Sequence, residues 1–243
     1  MAALAVTDLA RRFGGVRALD GVTLSIEPGE RRAVIGPNGA GKTTLFNILS
    51  GEMRPSGGSV RLFDVDVTAE PTWRLARRGL ARVYQRTELF AELTASENVE
   101  LALLQSAGAW FGRRDVRITV RAAELLARVG IADGRARARA LSHGERRQLE
   151  LAVALAAGPR VLLLDEPTAG MSPIETARIT ELISTLPREM TLVIVEHDMD
   201  VVFRLADRVT VLHQGRVLAD GEPRAVRADA RVREVYLGHE AIA

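Results

Sequence analysis

The residues best suited to chemistry gather around the chain's single lysine. Lys42 is the only lysine among 33 basic residues, the others being arginine. It lies in the run Gly36-Pro-Asn-Gly-Ala-Gly-Lys-Thr-Thr44, between an apolar strand ending at Ile35 and a helix through Leu45, Phe46 and Ile48. That strand–loop–helix setting with the spacing G-x-x-x-x-G-K-[ST] is a phosphate-binding loop. Gly36, Gly39 and Gly41 let the backbone curl until successive N–H groups point inward, and the helix N-terminus adds its positive end. Gly36, Asn38, Gly39, Ala40, Gly41, Lys42, Thr43 and Thr44 are therefore the candidate contacts to a nucleotide. Lys42 reaches the β- and γ-phosphates, and the Thr43 hydroxyl ligates Mg²⁺. The bland alternative is an accidental glycine-rich turn.

A second chemical cluster closes the apolar run Val161-Leu-Leu-Leu-Asp165-Glu166-Pro167. Ligands of open α/β sheets sit at the carboxyl ends of strands. Asp165 is placed to hold Mg²⁺, directly or through water, and Glu166 to polarise an attacking water. Asp-Glu-Pro-Thr also serves as a strand-terminating turn with exposed acids, and in isolation the two readings weigh equally. The phosphate loop tips the balance toward chemistry.

Three further positions are less specific. Ser142 followed by Glu145 is a capping box at the start of a helix containing Gln148, Leu149 and Leu151. His197 follows the apolar run Leu192 to Val195, and Gln85 follows Val83-Tyr84. Taken singly, they read as a helix cap, a structural histidine and a solvated polar residue.

The elements that must position these groups alternate between short apolar runs and helical patterns, which predicts an α/β fold with a mostly parallel sheet. Arg32 to Ile35, Val161 to Leu164 and Leu192 to Val195 read as strands covered on both faces. Leu4 to Glu27, with turn residues Gly14, Gly15 and Gly21, reads as an N-terminal antiparallel β subdomain. From about Leu89 to Ala157 the strand signal vanishes. Ser96 caps a first helix there, Arg117 to Val129 has helical spacing, and a third helix begins near Gly144. This predicts one domain, 1–243, with a core of 1–87 and 159–243 and an inserted α-helical subdomain at about 88–158. Ser106 to Arg114 reads as a loop carrying two exposed aromatics.

Composition removes several function classes. With no cysteine, a disulfide framework and a Cys-based zinc site are excluded. The net charge is only +2, and 6 Phe, 2 Tyr and 2 Trp are too sparse for a base-stacking platform, so no nucleic-acid partner is expected. No run of roughly 18 apolar residues occurs, and Asp8 breaks any signal-like layout at the N-terminus.

Leu141-Ser142-His143-Gly144-Glu145 resembles the LSGGQ signature of ABC ATPases, with His143 and Glu145 in place of a glycine and the glutamine. The other segments follow in that family's order along essentially the whole chain. The resemblance implies that Ser142, Gly144 and Glu145 contact the γ-phosphate of ATP held by a second ATPase subunit, identical or paralogous. It implies that Gln85 senses Mg²⁺ or the water, that His197 contacts the γ-phosphate, and that Phe13 stacks on adenine, with a buried core phenylalanine as its rival. Ala169-Gly170-Met171-Ser172 occupies the family's D-loop, where many relatives carry aspartate instead of Ser172.

Finer likeness, in Phe13-Gly-Gly-Val-Arg-Ala-Leu, Glu97-Asn98-Val99, Glu196-His197-Asp198-Met199 and Val235-Tyr236-Leu237-Gly238, is to the ATPases of branched-chain amino acid importers. Urea-import and lipopolysaccharide-export ATPases share parts of it. The implied partners are two transmembrane permease subunits and a periplasmic or extracellular substrate-binding protein, with this chain on the cytoplasmic face of the membrane. ATP and Mg²⁺ are the implied cofactors. The rival readings are a non-transport ABC protein and a P-loop kinase. Members working in translation usually carry two ATPase units, repair members carry long coiled coils, and P-loop kinases lack the signature and histidine elements.

Overall fold

A computed structural model describes residues 1–85, 88–106 and 116–240. The chain opens with strands β1 (Leu4–Phe13), β2 (Val16–Ile26) and β3 (Arg31–Ile35), followed by helix α1 (Lys42–Leu49). Then come β4 (Gly57–Leu62), β5 (Val65–Asp66), α2 (Thr72–Arg77) and β6 (Leu80–Val83). Three helices follow, α3 (Ala95–Ser106), α4 (Val116–Arg128) and α5 (His143–Ala156). The remainder alternates as β7 (Val161–Asp165), α6 (Pro173–Ser184), β8 (Thr191–Val195), α7 (Met199–Leu205) and β9 (Arg208–His213). It closes with β10 (Arg216–Gly221), α8 (Pro223–Ala228) and α9 (Ala230–Glu240).

Two sheets result. One has four antiparallel strands in the order β2-β1-β4-β5, and the other has six in the order β10-β9-β3-β8-β7-β6. In the larger sheet β9, β3, β8, β7 and β6 are parallel and only β10 runs antiparallel, at the edge. The expected α/β architecture with its N-terminal antiparallel part is thus observed.

The central strands are apolar throughout because both of their faces are covered. Along β7, Leu162 and Leu164 join a core built with Leu125, Leu126 and Leu149 of the inserted helices. Val161 and Leu163 point the other way, into a core with Phe46 of α1 and Leu4 and Leu9 of β1. Side chains alternate across a strand, so this one segment clamps helices to one face and the antiparallel sheet to the other.

Two local expectations shift. The first inserted helix is capped at Thr94, not Ser96. The Thr94 Oγ1 accepts the Glu97 N–H at 3.2 Å, and the Glu97 carboxylate accepts the Thr94 N–H at 2.8 Å. This reciprocal pair starts the helix at Ala95 and leaves Ser96 inside the first turn. Gly21, read as a turn residue, lies within β2 beside a register shift against β1. The aromatic pair Trp110 and Phe111 lies outside the described residues.

Candidate functional site

The phosphate loop joins β3 to α1 and is shaped by two close approaches. A Cβ on Gly36 would fall 2.2 Å from the Leu212 carbonyl oxygen, and one on Gly41 would fall 2.6 Å from that of Ala18. Gly41 has φ 107° and stands at the N-cap of α1 with no side-chain cap. The first-turn N–H groups therefore lack the oxygen a Ser, Thr or Asp cap would supply, and they form a ready anion site. Asn38, Gly39 and Thr43 are exposed, whereas Ala40 is buried behind the loop.

The Lys42 ammonium is buried and donates to the carbonyl oxygens of Gly36 at 2.6 Å and Pro37 at 3.1 Å. Burial pulls its pKa below the ordinary lysine value, opposed by the carboxylates of Glu166 and Asp165. A desolvated cation over a loop of open N–H groups fits a polyphosphate. The oxygens of Thr43, Asp165 and Gln85 are the hard donors that Mg²⁺ takes.

The acidic and polar groups come from the carboxyl ends of adjacent parallel strands. Asp165 ends β7 opposite Val195 of β8, and Val83 of β6 lies opposite Leu164. Glu166, the next residue, has φ 48°, a left-handed conformation uncommon outside glycine. Its N–H donates to the Val195 carbonyl at 2.9 Å. Gln85 Nε2 donates to Glu166 Oε2 at 2.7 Å, and His197 Nε2 lies 2.7 Å from Glu166 Oε1. Three sequence-predicted residues from three strands thus meet at one carboxylate. Asp165, 5% exposed, accepts at Oδ2 from Arg82 Nη2 at 2.6 Å.

The predicted helix cap at Ser142 is present. Ser142 Oγ accepts the Glu145 N–H at 3.2 Å, and the Glu145 carboxylate accepts the Ser142 N–H at 2.8 Å. A Cβ on Gly144 would come within 2.9 Å of the Glu175 carboxylate. Among the described residues no hydrogen bond joins Ser142, Gly144 or Glu145 to the phosphate loop; they stand apart from it within one subunit. Phe13 is 45% exposed at the tip of the β1–β2 hairpin, with the Arg11 guanidinium over its ring. That removes the reading of Phe13 as a core residue. Ser172 caps α6 through a box with Glu175, which explains a serine at that position.

Several partners of the site went unnoticed in the sequence. Glu196 is buried and accepts the Thr168 N–H at 3.0 Å, the Thr168 hydroxyl at 2.7 Å and the His197 N–H at 3.1 Å. It locks the turn after β7 to the turn after β8. Its sequence signal was its place beside His197, immediately after an apolar strand. Arg82 and Arg147 carried no signal of type in a chain so rich in arginine.

A phosphate loop, two strand-end acids and a glutamine and histidine closing on one of them define a P-loop ATPase carrying inserted helices. The family model described as ABC transporter matches residues 19–169, and one described as branched-chain amino acid ATP-binding cassette transporter matches residues 216–242. The high-affinity branched-chain amino acid transport ATP-binding protein BraF of Pseudomonas aeruginosa is 39% identical, over 97% of each chain. The ADP conformation of an ATP-binding cassette of an ABC transporter superposes with a TM-score of 0.87 at 28% identity, covering 98% of this chain and 99% of that one. A dimeric cassette in a post-hydrolysis state bound to ADP and Pi superposes with a TM-score of 0.79 at 27% identity, covering 91% and 99%. This chain belongs to the ABC transporter family, as an ATP-hydrolysing, ATP-binding subunit. No helix among the described residues is long and apolar enough to cross a membrane.

Proposed function

We propose that this chain powers the import of branched-chain or other hydrophobic amino acids, as one of two ATPases beneath a pair of transmembrane permeases. The observation that carries the cargo class is the match of residues 216–242 to the branched-chain amino acid cassette model. That segment comprises β10, α8 and α9, outside the phosphate site, where selection for partner and not for nucleotide would be recorded. A substrate-binding protein outside the membrane delivers the amino acid, and this chain works on the cytoplasmic face.

In the proposed cycle, the loop N–H groups and Lys42 grip the triphosphate while Phe13 packs on the adenine. Thr43, Asp165 and Gln85 would hold Mg²⁺, which would supply neutralisation of the phosphate charge. Before ATP binds, Gln85 and His197 hold the two oxygens of Glu166; once ATP is bound, Glu166 takes a proton from the attacking water. His197, released from Glu166, meets the γ-phosphate. The open side of the triphosphate is covered by Ser142, Gly144 and Glu145 of a second subunit, since none of these bonds to the loop of their own chain. Two ATP molecules thus hold two subunits together, and hydrolysis parts them.

The test is uptake by proteoliposomes holding this chain, a pair of permeases that copurify with it and a branched-chain amino acid binding protein. Labelled leucine should accumulate only with internal ATP, and Glu166→Gln should abolish it. ATP turnover that is indifferent to leucine-loaded binding protein would overturn the cargo assignment.

A further inference from the structure

Arg147 lies in α5, five residues beyond Ser142, and its guanidinium is buried, with 6% of the side chain exposed. It donates through Nη1 to the Tyr84 carbonyl at 2.5 Å, through Nη2 to the Glu166 carbonyl at 3.0 Å and through Nε to the Pro167 carbonyl at 3.1 Å. Glu150, one turn along the same helix, fixes Nη1 at 2.7 Å. These acceptors are not scattered. Tyr84 immediately precedes Gln85, and the other two carbonyls belong to Glu166 and its successor. The same guanidinium therefore fixes the backbones of both residues whose side chains meet at 2.7 Å.

Glu166 also needs such a hold. Its left-handed backbone is pinned at the N–H by Val195 and at the carbonyl by Arg147. Unusual conformations of this kind persist where the surroundings over-determine them. A planar fork with several N–H donors reaches three carbonyls at once, which a lysine ammonium on a flexible stem does not.

We propose that Arg147 is a positioning residue for hydrolysis: it sets Gln85 and Glu166 in register and ties them to the helix that begins at the signature segment. This rests on the reading of Glu166 as the residue that activates water. Because α5 carries Ser142 at its start and Arg147 a little over one turn further on, a shift of this helix on covering the partner's nucleotide is passed directly to the subunit's own base.

Arg147→Lys and Arg147→Met test it, with kcat, KM for ATP, affinity for a fluorescent ATP analogue and thermal midpoint measured on the purified chain. Arg147→Lys should lose about 10- to 100-fold in kcat, the scale of a lost charge-assisted hydrogen bond, with KM and analogue affinity within about two-fold of the parent. In a Glu166→Gln background the same change should lower the residual rate no further, because the residues act as one unit. If Arg147→Met does not fold, Arg147→Lys carries the test. A kcat within two-fold of the parent, a matching loss of analogue affinity, or a full additional loss in the Glu166→Gln background would each overturn the proposal. Wild-type turnover by Glu166→Gln would instead overturn the reading of Glu166. An inactive Glu166→Gln beside an unimpaired Arg147→Lys would remove only the role given to Arg147.

Discussion

His197 Nε2 sits 2.7 Å from Glu166 Oε1, bridging the ends of two neighbouring parallel strands. The contact orients the carboxylate, and in the proposed cycle it is the one the γ-phosphate replaces. Replacing His197 with alanine removes one hydrogen bond to a charged group, worth about 1.5–3 kcal/mol. The expected outcome is a kcat lower by about 10- to 100-fold with unchanged ATP affinity, read by phosphate release and by equilibrium nucleotide binding. An equal fall in affinity would mean that His197 serves mainly to hold the bound nucleotide and that its contact with Glu166 adds nothing to turnover.

Lys42 gives a prediction in two directions. Burial lowers its pKa, so the unfolded chain binds this proton more tightly than the native one does. The charged form therefore costs stability, and this cost fades as pH rises toward the ordinary lysine value. Lys42→Met should unfold at a higher temperature than the parent in the absence of nucleotide, by about 2–4 °C for each kcal/mol recovered. With MgATP at a hundred times the dissociation constant, the parent gains about 2.7 kcal/mol and the variant nothing. Differential scanning calorimetry with and without nucleotide checks both.

Glu196→Ala should be costly although the residue touches no substrate in the proposed cycle. It strands three donors, the Thr168 N–H and hydroxyl and the His197 N–H, in a buried turn. At about 1–3 kcal/mol for each unsatisfied group, partly relieved by water, a loss of about 2–4 kcal/mol is expected in urea unfolding. His197 is misplaced as well, so kcat should fall in parallel. A stability change below about 0.5 kcal/mol would show that the clamp is dispensable.

The two capping boxes set an acid limit. Hydrogen bonds from the Ser142 backbone and side chain hold Glu145 below its ordinary value of 4.5, and those from Ser172 do the same for Glu175. Lowered carboxylate pKa values contribute stability above 4.5 that is lost as pH falls through the native values. The double variant Glu145→Gln/Glu175→Gln should therefore show a shallower fall of thermal midpoint below about pH 5. Ser142→Ala, which removes a cap oxygen, should cost about 1 kcal/mol at neutral pH. Midpoints recorded across the pH range decide it; parallel acid limbs for parent and double variant would contradict it.

Much of this site was legible in the sequence because its chemistry is carried by contiguous residues. The phosphate loop needs its glycines next to its lysine, and the Asp165–Glu166 pair needs the apolar strand before it. Ser142 announced its cap by the spacing to Glu145. What could not be read was placement between distant segments. Arg147 and Glu166 are joined by a side chain crossing from helix to turn, and no periodicity marks one arginine among so many. Thr94 won over Ser96 because both stand near Glu97 and Glu100, and only the folded backbone chooses between the two reciprocal pairs. Phe13 could have been core or surface, since an aromatic at a hairpin end fits either pattern.

The buried amine of Lys42 makes the chain its own reporter. Acylating or aldehyde reagents directed at side-chain amines have this one nitrogen to find, besides the chain terminus. While it leans on the carbonyls of Gly36 and Pro37 it is both desolvated and engaged, and its modification should be slow. The rate at which a single mass increment appears at Lys42 is thus a clock for opening of the loop, readable in a mixture of subunits without any introduced label.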